Sequence, residues 1–160
     1  MIPPLWSELD WASAIGLFII NFGFIDHLVL DFLESRLPSE EFTKTKELHL
    51  QDRIKLVKDL LEKSDYPPEK RERFARFFHD LDPVRELRNH IAHGHLLVRL
   101  EPDMKTIVAT LSQPKDLDAA YAPETRHLGF DELKGTLVRL NELIEEFRKL
   151  TGNAALGDGK

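Results

Sequence analysis

Cysteine is absent from this 160-residue chain. Its absence excludes a disulfide scaffold, cysteine-ligated zinc and thiol catalysis. The sequence also lacks a phosphate-binding glycine loop, a dinucleotide-binding fingerprint and the context of a serine nucleophile. A chain of this length can bury a core without cross-links. We therefore expect a single cytoplasmic domain over residues 1–150 and a flexible tail over residues 151–160.

The chain begins without a signal-peptide pattern, because its first six residues carry no positive charge. The most apolar stretch, residues 12–30, approaches the length of a membrane span. Three polar residues, Asn21, Asp26 and His27, interrupt it, and acidic rather than basic residues flank it. We expect a buried helix and no membrane contact, with a membrane span as the alternative.

Charge is distributed unevenly along the chain, whose formal net charge is −6. Residues 1–42 hold one basic and seven acidic residues, whereas residues 43–99 hold thirteen basic and ten acidic ones. A general nucleic-acid binder is usually basic overall. A protein that binds nucleic acid at one cleft could be basic in one segment although the whole chain is acidic. The alternative is helices with lysine-rich solvent faces.

Apolar residues recur every three or four positions in most of the chain, which predicts helices. We expect them at about 8–36, 43–63, 67–93 with a break or kink at Pro83, and 130–150. The first helix carries two apolar stripes. One comprises Ile15, Phe18, Phe22, Ile25, Val29 and Phe32, and the other comprises Leu17, Ile20, Phe24 and Leu28. Such a helix is either buried on more than one side or packed against a second protomer.

The pattern changes after Gly94. Residues 96–100 and 106–111 are rich in valine, isoleucine and threonine, which predicts a small β-hairpin at about 96–111. Residues 112–129 contain Pro114 and Pro123, which predicts a long loop. The predicted fold class is all-α, an up-and-down helical bundle with this hairpin packed on the helices.

A polar cluster stands at the end of the third helix. His90, His93 and His95 lie beside Arg88 and Asn89. Asn89 and His93 are one helical turn apart, so the amide could hold one imidazole nitrogen while the other moves a proton. Arg88 lies about 140° around the helix from His93, yet a long arginine could reach the same phosphate. The alternative is a histidine that eases the helix dipole before a Gly94 cap.

The run from Arg88 through Asn89 to His93 resembles the signature of the HEPN (higher eukaryotes and prokaryotes nucleotide-binding) domain superfamily. That signature is an arginine, usually followed by a polar residue, and a histidine a few positions later, within a helical bundle. The likeness in sequence detail is confined to residues 84–95. The hairpin and proline loop are not part of the minimal bundle and look like the insertion of a subgroup.

The resemblance implies metal-independent RNA cleavage at a homodimer interface, with no cofactor. His93 would be the general base, Arg88 the phosphate clamp and Asn89 the residue that orients His93 or binds phosphate. His90 and His95 would be accessory, and the proton donor would be His90 or the second protomer's His93. The setting would be a toxin or phage-defence effector, with an antitoxin or another protein partner. The alternative is a non-catalytic HEPN-like module that dimerises or binds a partner protein or nucleotide.

A metal site is a weaker interpretation of the same histidines. His90 and His93 have a usable spacing for two ligands. No nearby aspartate or glutamate has clear ligand spacing, so we expect adventitious metal binding at most.

Overall fold

The computed structural model describes residues 8–93, 95–100, 107–113 and 124–152, and the side chains of 10–92 and 127–152. This part of the chain contains five helices and three strands. In chain order they are α1 (Glu8–Glu34), α2 (Ser39–Thr45), α3 (Leu50–Glu62), α4 (Pro68–His93), β1 (His95–Leu100), β2 (Ile107–Gln113), β3 (Glu124–Gly129) and α5 (Phe130–Thr151).

The predominance of helix confirms the predicted class. Helix α5 lies where its apolar spacing predicts, and its inward positions are buried. Those positions are Leu133, Leu137, Leu140, Ile144 and Phe147. Helix α5 ends at Thr151 and is followed by Gly152, whose φ of 78° is the left-handed conformation that commonly terminates helices. The rest of the predicted tail, residues 153–160, lies outside the described residues.

The predicted single helix over residues 43–63 is wrong, because two helices occupy this region. The buried guanidinium of Arg53 explains how the break is stabilised. It donates to the backbone carbonyls of Thr45, at 3.3 Å, and Lys46, at 2.9 Å. It also forms an ion pair with Asp26 at 2.6 Å. Carbonyl groups that a continuous helix would have satisfied are thus bonded to a side chain.

Of the predicted break or kink at Pro83, the break is wrong, because α4 continues through the proline from Pro68 to His93, and the kink stays a prediction. Proline has no N–H to donate to the carbonyl four residues earlier, so the helix loses one bond there. Buried apolar residues lie on both sides of the proline, with Leu81 before it and Val84 and Leu87 after it. Packing of these side chains outweighs the missing bond.

The strands form a three-stranded antiparallel sheet in the order β1-β2-β3, so the predicted hairpin is extended by a third strand. His95 pairs with Ser112 across β1 and β2, and Thr110 pairs with His127 across β2 and β3. Strand β3 corrects the prediction of one long loop over 112–129, of which residues 114–123 lie outside the described part. The sequence pattern does not reveal this strand, because its only strongly apolar residue is Leu128, which is buried.

The chain divides into two compact units. Unit 1 comprises Met1–Ile20 and Pro83–Leu140, and unit 2 comprises Asn21–Asp82 and Asn141–Lys160. In unit 1 the buried ring of Trp11 packs edge-on against Phe130, with ring centroids 5.1 Å apart. Its indole Nε1 has no hydrogen-bond partner within the described residues.

Unit 2 is built around five phenylalanines that contact one another. The pair Phe77 and Phe147 is the closest, with ring centroids 4.9 Å apart. The cluster comprises Phe32, Phe74, Phe77, Phe78 and Phe147, all buried. Aromatic pairs in tilted and edge-on arrangements stabilise a core beyond the area they bury. Phe74, Phe77 and Phe78 are therefore packing residues.

Helix α1 is less covered than predicted. Its first stripe is buried from Phe18 onward, but in the second stripe Leu17 is 50% and Ile20 is 70% exposed. Residues Asp10–Glu34 are long and apolar enough to cross a membrane by length and composition, and 28% of the apolar window is buried. The second stripe is thus exposed at Leu17 and Ile20, whereas Phe24 is half-buried and Leu28 is buried. Packing of the second stripe on a second protomer stays a prediction.

Candidate functional site

The candidate site lies in the last turns of α4, within unit 1. Val84 and Leu87 are buried and hold this part of the helix against its unit. Arg88 and Asn89 follow directly and are half-buried. Burial of Val84 and Leu87 fixes the rotation of α4 about its axis. That rotation sets the direction in which the side chains of Arg88 and Asn89 project.

Arg88 and Asn89 are bonded to each other. An Nη1 group of Arg88 donates to the Oδ1 of Asn89 at 3.3 Å. This bond orients the Asn89 amide with its oxygen toward the guanidinium. A contact from Asn89 to an imidazole nitrogen or a phosphate oxygen would therefore use its NH₂ group, which is a donor. The structure therefore brings these two predicted site residues into direct contact.

His90 is tied to its own helix. Its ring nitrogen Nδ1 lies 2.8 Å from the backbone carbonyl of Glu86. A carbonyl can only accept, so Nδ1 carries the hydrogen and Nε2 is the basic nitrogen of the neutral ring. This contact directs His90 along the helix and favours an accessory role over a central one.

His93 is the last residue of α4, and His95 is the first residue of β1. Their side chains, and Gly94 between them, lie outside the described residues. The predicted Asn89–His93 contact and the Gly94 cap therefore stay predictions. The backbone does establish that the motif stands at a junction where a helix passes into a sheet after one residue.

One imidazole in unit 1 does not emerge from the sequence pattern. His127 is exposed on β3, in a region whose residues predict a loop. The register aligns His127 with Thr110 and Leu97, two positions from the row of His95, Ser112 and Thr125. The only sequence signal for His127 is the short polar run that includes Thr125 and precedes the start of α5.

Asp26 and His27, the polar interruption of α1, have partners within unit 2. Asp26 pairs with Arg53, and the Nε2 of His27 lies 3.5 Å from a carboxylate oxygen of Asp31. Both contacts stabilise the fold of unit 2. Among the described residues, no group of three or more potential metal ligands occurs.

A groove of about 540 Å³ lies between α3 and α4 in unit 2. Apolar and charged side chains of both signs line it, and none of the predicted site residues is among them. The lining residues are Lys58, Leu61, Glu62, Pro68, Arg71, Glu72, Ala75 and Phe78. The mixture of two cations and two carboxylates gives this groove no preference for a ligand of one sign.

Comparison with protein-family models, with curated proteins and with solved structures finds no match to this chain.

Proposed function

We propose that the protein is a HEPN-type endoribonuclease that cleaves RNA without a metal ion and acts as a homodimer. The observation that supports this most directly is the hydrogen-bonded pair Arg88–Asn89, half-buried in the last turns of a helix that ends at His93. A guanidinium and an amide held side by side form a donor array suited to a phosphate. A cytoplasmic location and a protein partner such as an antitoxin stay predictions from the sequence.

In the proposed reaction, His93 takes the proton from a ribose 2′-hydroxyl as that oxygen attacks the adjacent phosphorus. The bond from phosphorus to the 5′ oxygen breaks, which leaves a 2′,3′-cyclic phosphate and a 5′-hydroxyl. The leaving oxygen receives a proton from His93 of the second protomer or from His90. Arg88 stabilises the charge that gathers on the phosphate oxygens, and Asn89 orients His93 or binds the same phosphate.

The test is an RNA cleavage assay with purified protein in EDTA. Wild type should release products with 2′,3′-cyclic phosphate ends, and His93→Ala should reduce the rate by roughly 10²–10⁴-fold. Lys44→Gln, a change at an exposed lysine paired with Glu40, is the matched control and should cleave like wild type. A substrate lacking the 2′-hydroxyl at the cleaved position should resist cleavage.

Two results would contradict the proposal. Equal cleavage by wild type and His93→Ala would identify a contaminating nuclease. Failure of wild type to cleave single-stranded RNA, structured RNA and transfer RNA would favour the non-catalytic HEPN-like module instead.

The homodimer is supported by the exposed stripe of α1. Leu17 and Ile20 are large apolar residues whose exposure leaves a surface that the chain does not cover. Another large apolar residue of unit 1, Val138 on α5, is 60% exposed. Large exposed apolar residues such as these, when they form one contiguous patch, usually mark an interface.

Light scattering at micromolar protein measures the assembly. Wild type should be a dimer, and Ile20→Glu should be a monomer because burying a new carboxylate in an apolar interface is costly. Gln51→Glu adds the same charge to an exposed position of α3 and should remain dimeric. A wild-type monomer at every concentration would refute the dimer and the shared active site.

A further inference from the structure

Unit 2 contains two cations gathered around one aromatic ring, which together we call the Tyr66 cluster: Arg36, Tyr66 and Lys70. An Nη2 group of Arg36 donates to the Tyr66 hydroxyl. The Arg36 guanidinium lies 5.4 Å from the centre of the Tyr66 ring, and the Lys70 ammonium lies 4.1 Å from it. Two cations from different parts of the chain thus converge on one ring.

The ring that gathers these cations is itself held in place. Tyr66 stacks on Phe74, with ring centroids 6.3 Å apart and planes 19° from parallel. Phe74 belongs to the buried phenylalanine cluster. The Arg36 guanidinium also lies over Phe32, at 5.1 Å from its ring centre. Arg36 is nevertheless exposed. Contact with two rings restricts the orientation of its guanidinium while leaving it accessible from solvent.

The positive charge of the cluster is not cancelled by carboxylates. Elsewhere in unit 2, Lys44, Lys55 and Arg148 each lie within 4 Å of an acid. Across the described residues, neither Arg36 nor Lys70 has such a partner, and the acids nearest in sequence, Glu34, Asp65 and Glu69, form no ion pair with them. An aromatic ring orients a cation without neutralising it.

An arginine and a lysine that are oriented, accessible and unneutralised are suited to an anion with several acceptor oxygens. A guanidinium presents a planar fork of donors, and an ammonium adds a compact point charge. A phosphodiester accepts both kinds of contact. The cluster also lies mostly in the segment of net positive charge, residues 43–99, of an otherwise acidic chain.

We propose that the Tyr66 cluster binds the phosphate backbone of RNA, as a contact that positions the strand and does not read its sequence. The identity of the polyanion as RNA rests on the proposed function. The cluster itself is an independent feature of unit 2, so its contribution can be measured apart from cleavage.

The test measures binding of a labelled single-stranded RNA by fluorescence anisotropy at several salt concentrations. His93→Ala serves as the background, so that the RNA is not cut during the measurement. Removing one cation that binds a phosphate should weaken RNA binding. It should also make the plot of log association constant against log salt concentration less steep by about 0.7. Arg36→Gln and Lys70→Gln should each show this change. Lys44→Gln and Lys55→Gln, whose cations are already paired with acids, should show little change.

A purely structural role predicts a different pattern. Arg36→Gln would then lower the melting temperature and leave the salt slope equal to that of Lys55→Gln, which would overturn the proposal. If the cluster binds phosphate, Arg36→Lys should retain most of the slope because it keeps the charge, whereas Arg36→Gln should not.

The two proposals fail in distinguishable ways. Unchanged slopes in a protein whose wild type still cleaves RNA would refute the Tyr66 cluster alone. Reduced slopes in a protein that cleaves no RNA would refute the nuclease alone. A wild type that neither binds nor cleaves RNA would refute both.

Discussion

The two parts of α4 show how differently one helix can be fixed in place. Residues 68–82 hold Phe74, Phe77 and Phe78, which are buried among the aromatic rings of unit 2, and the buried Leu81. Residues 83–93 hold the polar motif, in which Arg88 bonds to Asn89 and His90 to its own backbone. Packing anchors both parts, through the phenylalanines in the first and through Val84 and Leu87 in the second, but only the second also carries the polar motif. Substitutions in the phenylalanine cluster and in the polar motif should therefore affect different properties.

The largest effect should come from Phe77→Ala. Removing a buried phenylalanine leaves a cavity, which typically costs about 3–5 kcal/mol of unfolding free energy. Urea denaturation measures this. Arg76→Ala changes the exposed neighbour and should stay within about 0.5 kcal/mol of wild type. Equal stabilities of the two variants would show that the phenylalanine cluster does not determine the stability of the helix.

In the second part, Arg88→Lys should affect activity and not stability. The ammonium lacks the planar fork of donors, so cleavage should fall by an order of 10²–10³-fold, as when one donor to a charged transition state is removed. Single-turnover cleavage and thermal unfolding, measured on the same preparation, separate the two properties. A matching decrease of melting temperature would mean that Arg88 is a packing residue like those of the first part.

Pro83 is the first residue of the second part of α4, and Pro83→Ala should stabilise the protein. Alanine restores an N–H to the helix and has far higher helix propensity, while the unfolded chain regains some entropy, for a net gain of roughly 1–2 kcal/mol. Calorimetry would record a higher melting temperature. If the Pro83→Ala variant were more stable but no longer cleaved RNA, the proline would be needed to position the polar motif of residues 83–93.

The smallest effect should be that of His90→Ala. The Nδ1 of His90 is engaged with the Glu86 carbonyl of its own helix, so replacing the ring should change the unfolding free energy by less than about 0.5 kcal/mol. Cleavage should fall by much less than with His93→Ala. A comparable fall would instead assign His90 as the proton donor.

The helices with one regular apolar face were predictable from the sequence. Leu133 through Phe147 mark α5 because their spacing leaves a single buried face. The break between α2 and α3 was not predictable, because it depends on Arg53 reaching the carbonyls of Thr45 and Lys46. Such a contact joins positions seven or eight residues apart and leaves no periodic signal.

The continuity of α4 through Pro83 was not predictable for a related reason. The local preference of proline favours a break, while packing at Leu81, Val84 and Leu87 decides the outcome. In the candidate site, the proximity of Arg88 and Asn89 follows from adjacency in sequence, but the bond between them does not. His127 escapes prediction because strand β3 has little apolar alternation, and only pairing with β2 identifies it.

The burial of Trp11 makes unit 1 optically observable. The chain contains two tryptophans, so a Trp6→Phe variant would emit from Trp11 alone. An indole in an apolar environment fluoresces at shorter wavelength than a hydrated one, and the Nε1 of Trp11 has no hydrogen-bond partner among the described residues. Because Trp11 touches Phe130 at the start of α5, its emission would shift to the red when the contact between these helices opens. Unfolding of this unit could therefore be followed in real time without an added label.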